Sequence, residues 1–469
     1  MVVQAGQEGL RLSERRGRFV LLATVLGSGI AFLDATVINV ALPAIGEGTN
    51  ASLAGLQWTV NGYALALAAL ILLGGALGDR FGRRRLFIIG TAWFALASLL
   101  CGLAPNVELL IGARILQGIG GALLTPSSLA LLQGSFAPAE RARAIGLWSG
   151  LSGIASALGP IVGGWLVDAG SWRWVFILNV PLAVLVIALA VFHVPERRES
   201  TASGTFDYVG SVLAAVGLAG VSYALIAAAE PGTPILLPAL LGIFALVAFV
   251  IAERTLRTPM LPPFIFASRQ FTGANLVTLA VYAALSGMFF FLVLDLQLVV
   301  GFSALKAGSA LLPVTAMMLL LSEPAGRWAA KIGPRIPMTI GPAICAMGVV
   351  MLTRIDAQAT YLLDVLPGVS VFGVGLAITV APLTTAVLAA VEDRHAGIAS
   401  GINNAAARTA GLLAVAALPL LSGLSSDEYR QPAAFHDSFQ LALWISAALL
   451  VLGAILAWCT ISVKLADDR

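Results

Sequence analysis

The chain has 469 residues, 59% of them hydrophobic and 11% charged, with 27 Lys and Arg against 24 Asp and Glu and a mean hydropathy of +0.95. Soluble globular chains run at about 45–50% apolar and about 25% charged residues, so an array of water-soluble domains is excluded. Stretches of roughly 20 apolar residues recur instead, each long enough to cross a hydrocarbon core about 30 Å thick.

Backbone polar groups in lipid must be paired internally, which leaves helices or a closed barrel. The ten-residue alternating segments of a barrel are absent. The expected fold class is all-α: a polytopic membrane protein of fourteen transmembrane helices. The spans are predicted at roughly 18–43, 54–78, 85–104, 108–133, 141–168, 173–193, 207–229, 233–253, 272–299, 304–330, 336–354, 358–389, 395–422 and 438–463. The run from Phe19 to Pro43 is too long for a signal-peptide core, and no small-residue cleavage site follows it. Cys101, Cys345 and Cys459 all fall within spans, so a disulfide framework is not expected.

With both termini in the cytoplasm, 21 of the 27 Lys and Arg lie on the inner side, 4 lie outside (Arg173, Lys306, Arg354, Arg430), and Arg114 and Arg408 lie inside spans. The bias sets the expected orientation by the positive-inside rule. It also accounts for the basic pI of 8.9 without a nucleic-acid partner, since these residues face anionic lipid heads.

The most charged stretch, "GGALGDRFGRRRLF" at 74–87, has a partner 251 residues on: "GALGDRFGRR" (75–84) aligns with "GRWAAKIGPR" (326–335). Gly75 matches Gly326, Arg80 matches Lys331, Gly82 matches Gly333 and Arg84 matches Arg335. Six spans with their loops take roughly 180–190 residues, so the surplus predicts two six-helix bundles, 18–193 and 272–463, separated by two inserted helices at 207–253. A duplicated helical bundle is the usual build of a secondary transporter, with the substrate near midplane between the halves. The first copy has Asp79 where the second has Ala330. A topology signal needs no acid, so Asp79 is expected to cap a neighbouring helix or pair across the seam between the halves. Gly75, Asp79, Arg80, Gly82, Arg83 and Arg84 form a candidate inner gate.

The chain resembles the major facilitator superfamily, and within it the fourteen-span drug:proton antiporter branch, over nearly its whole length. "GALGDRFGRRR" is similar to the superfamily's loop 2–3 signature, "LDATVINVALP" (33–43) to the branch's first-helix motif and "ARILQGIGGALLTPSSLAL" (113–131) to its fourth-helix motif. "GLSGIASALGPIVGGW" (150–165) is similar to the helix-5 antiporter motif and "WRWVFILNVP" (172–181) to the segment opening helix 6. Gly78 stands where Ala is common, and the acids Asp295 and Glu323 are further departures.

Span 5 places Gly150, Gly153, Ala157, Pro160 and Gly164 on one face, with Gly159 and Gly163 beside it. Small-residue stripes let helix backbones touch, and Pro160 permits a bend. The stripe is either static packing or, as the resemblance implies, a flexing seam between the halves. Gly397, Gly401, Ala405 and Arg408 make a related stripe in span 13.

Ionisable groups in spans usually face a cavity or a partner. Asp34 and Arg114 sit at similar depth in the outer half of the bilayer and are expected to pair, Gln117 sharing the face of Arg114. The pair is either a fixed ion pair or the proton-coupling site, since a nearby Arg tunes a buried carboxylate. Glu323 and Asp295, with Gln117, are candidate cavity residues that would attract cations, and Asp295 is equally a boundary residue. Phe289 to Phe291, Trp58 and Tyr63 are weaker candidates for a cavity wall, where cation–π contacts favour lipophilic cations. His193, His395 and His436 fall at span ends, and no metal spacing, nucleotide loop or catalytic triad occurs.

The expected function is therefore non-enzymatic: a monomeric proton-coupled antiporter of a bacterial cytoplasmic membrane, exporting amphipathic, cationic drugs or metabolites by alternating access. It needs no cofactor beyond the proton gradient. Its partners are small amphipathic substrates, protons and the lipid bilayer. The alternatives are a lipid or lipoconjugate transporter of the same fold, or a non-transporting membrane receptor, the latter disfavoured for want of a soluble domain.

Overall fold

The computed structural model describes residues 9–196, 207–230, 232–256, 259–392, 395–426 and 428–463. Among these, fourteen helices are long and apolar enough to cross a membrane. The first six are α1 (Arg15–Thr49), α2 (Leu53–Phe81), α3 (Arg83–Leu103), α4 (Val107–Ser135), α5 (Pro138–Ala169) and α6 (Trp174–His193). An apolar hairpin follows, α7 (Tyr208–Ala227) and α8 (Leu236–Thr255). The last six are α9 (Arg269–Leu298), α10 (Ala304–Ile332), α11 (Arg335–Leu352), α12 (Tyr361–Leu388), α13 (Ala396–Leu421) and α14 (Pro432–Thr460). Of the arginines and lysines used to orient the chain, Arg197, Arg198, Arg257, Arg394, Lys464 and Arg469 lie outside the described residues.

Short polar connections set the helix starts. Ser52, Asn106, Asp207, Ser268 and Ser303 each accept a hydrogen bond from a backbone N–H in the first turn of the helix they open, which satisfies donors a helix start leaves free. Pro138 opens α5, where a missing N–H costs nothing. Two related glycines stop two related helices. Gly82 (φ 103°) ends α2 and Gly333 (φ 83°) ends α10, conformations that residues with a Cβ avoid. The 251-residue repeat is thus present in the backbone as well as the letters.

Helices α1 to α6 pack on one another, α4 lying between α2 and α3 and α1 lying against α5 and α6; α9 to α14 pack likewise, α9 against α13 and α14 and α12 between α10 and α11. Close helix contact needs glycine: a Cβ on Gly120 of α4 would stand 2.7 Å from the backbone N of Phe94 on α3. Most of the arginines gather at one end of the bundle, with Arg80, Arg83, Arg84, Arg85, Arg141, Arg143, Arg254, Arg269, Arg327 and Arg335 at helix termini there; we call it the basic end.

The halves touch mainly at the opposite end. Gln57 of α2 donates to the carbonyls of Val415 (2.8 Å) and Ala416 (3.3 Å) on α13, and Gln297 of α9 donates to Val40 O on α1 (3.1 Å). Asp168, at the close of α5, accepts from the backbone N–H groups of Ala304 (3.1 Å) and Leu305 (3.0 Å) at the start of α10. A carboxylate on a helix N-terminus is well placed, because free donors and the helix dipole both favour it. Towards the basic end α5 is bare: a Cβ on Gly146, Gly150 or Gly153 would meet nothing within 4 Å. The cleft between the halves therefore opens at the basic end.

Helix α7 packs on both α2 and α13, with Leu218 among Leu65, Ala68 and Leu412. It thus covers the α2–α13 seam from the lipid side. The α5–α10 seam on the other flank has no such cover among the described residues.

Candidate functional site

Asp34 is the centre of a buried polar cluster inside the first half. Its Oδ2 lies 2.5 Å from Arg114 Nη1, and its Oδ1 accepts from Gln117 Nε2 (2.8 Å) and Asn179 Nδ2 (2.9 Å). Both Gln117 Nε2 and Asn179 Nδ2 also reach Ser98 Oγ, whose hydroxyl donates to Phe176 O (2.8 Å). Arg114 also donates to Gln117 Oε1 (2.7 Å) and, through Nε, to Thr59 O on α2 (3.1 Å). Its guanidinium carbon sits 4.5 Å from the ring centroid of Tyr63. Five helices, α1 to α4 and α6, contribute. Asp34 is 0% exposed and Arg114 1%.

The geometry has a direct chemical meaning. Every group bonded to Asp34 is a donor, so the site is built for a carboxylate, and satisfied hydrogen bonds are what make a buried ion pair tolerable. Gln117 is fully buried here, which corrects its placement among cavity residues: its amide is spent on Asp34, Arg114 and Ser98. Sequence reasoning missed Asn179, Ser98 and Thr59. Asn179 lies inside the "WRWVFILNVP" segment, the single signal that could have found it.

The loop after α2 works locally. Asp79 Oδ1 accepts from Arg83 Nε (2.9 Å) and faces Arg83 Nη2 (2.8 Å), a bond within one half and not across the seam. Arg83 Nη1 donates to Ala130 O (3.3 Å), while Arg84 donates to Ala190 O (3.1 Å) and Val191 O (2.5 Å) near the end of α6, where a helix leaves carbonyls unpaired. Arg80 stacks near Phe81 (5.7 Å), and a Cβ on Gly75 would meet Pro126 of α4 at 3.7 Å. The expected bond from Asp79 across the seam is therefore not made in this state, because the basic ends stand apart.

The helix-5 stripe divides by depth. Gly150 and Gly153 are exposed, whereas Gly159, Pro160, Gly163 and Gly164 are buried. Gly159 and Gly163 press on Thr36 and Val37 of α1, and Gly164 on the start of α10, where a Cβ would lie 2.5 Å from Ala304 O.

Both expected cavity anions have partners within their own half. Glu323 lies 3.8 Å from Arg327, one turn along α10, with side chains 80% and 71% exposed. The Glu323 carboxylate thus has a protein counter-charge, at a spacing where opposite charges regularly meet on a helix. Asp295 is fully buried inside the second half, its Oδ1 3.0 Å from His436 Nδ1 on α14. It is a bundle residue and not a cavity one. Phe290 and Phe291 belong to that core, and Trp58 faces Tyr223 of α7, with ring centroids 6.3 Å apart. Among the described residues no group of three metal-ligating side chains occurs.

Residues 24–415 match the Major Facilitator Superfamily. The chain belongs to this superfamily. It is 35% identical over 461 residues to the puromycin resistance protein pur8 of Streptomyces alboniger, covering 95% of this chain and 91% of that one. It is 35% identical over 407 residues to the tetracenomycin C resistance and export protein of Streptomyces glaucescens, covering 86% and 75%. A bacterial homolog of the human lysosomal transporter Spinster, solved inward-facing and unoccupied, superimposes with a TM-score of 0.68 at 17% identity, covering 97% of this chain and 99% of that one; it shares the fold. This member of the superfamily is a multi-pass membrane transporter and not an enzyme.

Proposed function

We propose that the protein is a proton-coupled antiporter, monomeric and with its basic end and both termini in the cytoplasm of a bacterium, that exports amphipathic small molecules by alternating access. Relatives named for antibiotic resistance and export support the direction of transport. The observation that carries the coupling is the Asp34–Arg114 pair, tied by Arg114 Nε to α2, a helix of the seam. A proton on Asp34 in the present state would strand Arg114, and breaking a buried pair costs about 3–5 kcal/mol. The membrane potential supplies only about 2.3 kcal/mol per charge per 100 mV. The proton is therefore taken up in the other state, open at the opposite end, and released as the pair re-forms. Arg114 transmits the change by loosening and regaining Thr59 O. A cationic cargo is not part of this reading, because Asp295 is buried inside the second half and Glu323 already faces Arg327. A lipid or lipoconjugate cargo is the second reading, favoured by the uncovered α5–α10 seam.

Reconstituted proteoliposomes with an imposed pH gradient test the proposal. Asp34→Asn should abolish gradient-driven transport while substrate binding persists, and Asp34→Glu should restore part of it. Undiminished accumulation by Asp34→Asn would place the coupling elsewhere, with Glu323 next to be tried.

A further inference from the structure

Counting charges inside the two halves leaves one over. Asp34 has Arg114, Asp295 has His436 and Glu323 has Arg327. Arg408, at the middle of α13 (Ala396–Leu421), has no hydrogen bond or ion pair among the described residues. It is partly exposed, so water in the cleft reaches it, as a mid-span charge requires when unpaired.

Its position on α13 is fixed by two contacts. Seven-residue steps keep Gly401, Arg408 and Val415 on one helix face. Val415 O receives Gln57 of α2, and a Cβ on Gly401 would lie 2.7 Å from Leu72 of α2. Arg408 therefore projects towards the seam between these two points, level with the middle of α2. One turn towards the basic end, Asn404 is exposed on nearly the same face, with a single long bond from Nδ2 to Ser400 O (3.4 Å). An unpaired cation at mid-depth beside the cleft, with an amide free to bond one turn beyond it, is a receptor for a negatively charged group.

We propose that Arg408 anchors the cargo and that the cargo class is amphipathic anions, carboxylates or phenolates; this rests on the efflux reading above and gives its substrate. The anion pairs with Arg408 at mid-depth. Asn404 bonds a polar substituent. A lipophilic cation meets like charge at the same point and is rejected.

Fluorescein and rhodamine 6G share a ring system and differ in charge, and they serve as the probes. Binding to purified protein is followed by fluorescence polarisation without a gradient, and transport is followed in proteoliposomes with one. Wild type should bind and export fluorescein in preference to rhodamine 6G. Arg408→Gln should weaken fluorescein binding at least tenfold, Arg408→Lys should keep most of it, and Arg408→Glu should reverse the preference. Fluorescein binding unchanged in Arg408→Gln, equal loss in Arg408→Lys and Arg408→Gln, or a wild type that binds rhodamine 6G alone or neither dye would overturn the proposal. Binding that follows this pattern with no gradient-driven transport would leave the anion site standing and remove the efflux reading. Gradient-driven transport that ignores the charge at 408 would do the reverse.

Discussion

The two seams between the halves are built differently. Along α2 and α13 the halves hold together from Gln57 and Val415 down to Leu72 and Gly401, and α7 lies over the join. Along α5 and α10 they hold only at the opposite end, where Gly164 and Gly308 admit the facing backbones and Asp168 grips the start of α10. Below that grip Gly150 and Gly153 face open space. One seam is a long fastening and the other a single clasp. In the proposed cycle, rocking about the first seam opens the second, so the small residues of α5 divide into those that meet now and those that must meet when the basic end closes.

The largest expected effect comes from filling the clasp. Gly164→Leu has no room against Ala304 and Leu305 and should hold the protein open at the opposite end. We expect transport to fall by roughly a hundredfold or more, since overpacking costs about 1–3 kcal/mol and often more; spin labels on the connections 170–173 and 299–303, which flank the clasp, should separate. Normal turnover would mean that this contact is not needed for the cycle. Gly153→Leu sharpens the contrast, because it meets nothing in the present state and should leave folding and binding unchanged while slowing turnover.

Removing the charge at the clasp is next. Asp168→Ala deletes two charge-assisted hydrogen bonds, each worth about 1.5–3 kcal/mol. It should shift the same label distances towards opening by roughly tenfold or more in population. Gln57→Leu, on the fastened seam, removes bonds to neutral carbonyls worth about 0.5–1.5 kcal/mol each, and the shift should be smaller than that of Asp168→Ala. Equal shifts would contradict the difference between the seams. The smallest effect belongs to α7: Tyr223→Leu loses an aromatic contact worth about 0.5–1.5 kcal/mol, which should lower the melting temperature slightly and leave transport within about twofold.

Charge and hydropathy carried the features that sequence reading recovered. Fourteen spans follow from apolar runs, and Asp34 and Arg114 attract notice because ionised groups are rare at their depth. The helix-stopping glycines at 82 and 333 show through the repeat. Ser98 and Asn179 were invisible because hydroxyls and amides are common in transmembrane helices and acquire meaning only from what they touch, and Thr59 because it offers only a backbone carbonyl. The partner of Asp295 lies 141 residues away on another helix, a pairing no local pattern encodes. Glu323 is the opposite case: its counter-charge stands four residues on, and the i, i+4 rule alone would have paired it. Arg408 was read as part of a small-residue stripe, and its isolation became visible only once Asp34, Asp295 and Glu323 had partners.

The join between α7 and the two halves is almost wholly apolar: Leu218 rests among Leu65, Ala68 and Leu412, and Tyr223 leans on Trp58. Ser222 Oγ and the side-chain atoms of Asn61, both buried, have no hydrogen-bond partner. Hydrogen bonds have preferred directions and resist shear, whereas dispersion contacts can be exchanged for similar ones along a smooth surface. A helix tied to both halves by directional bonds would act as a brake on every stroke. Built of Leu, Ala and aromatic edges, α7 would serve the proposed cycle as a dry bearing, over which the two halves turn while the fastened seam stays shut.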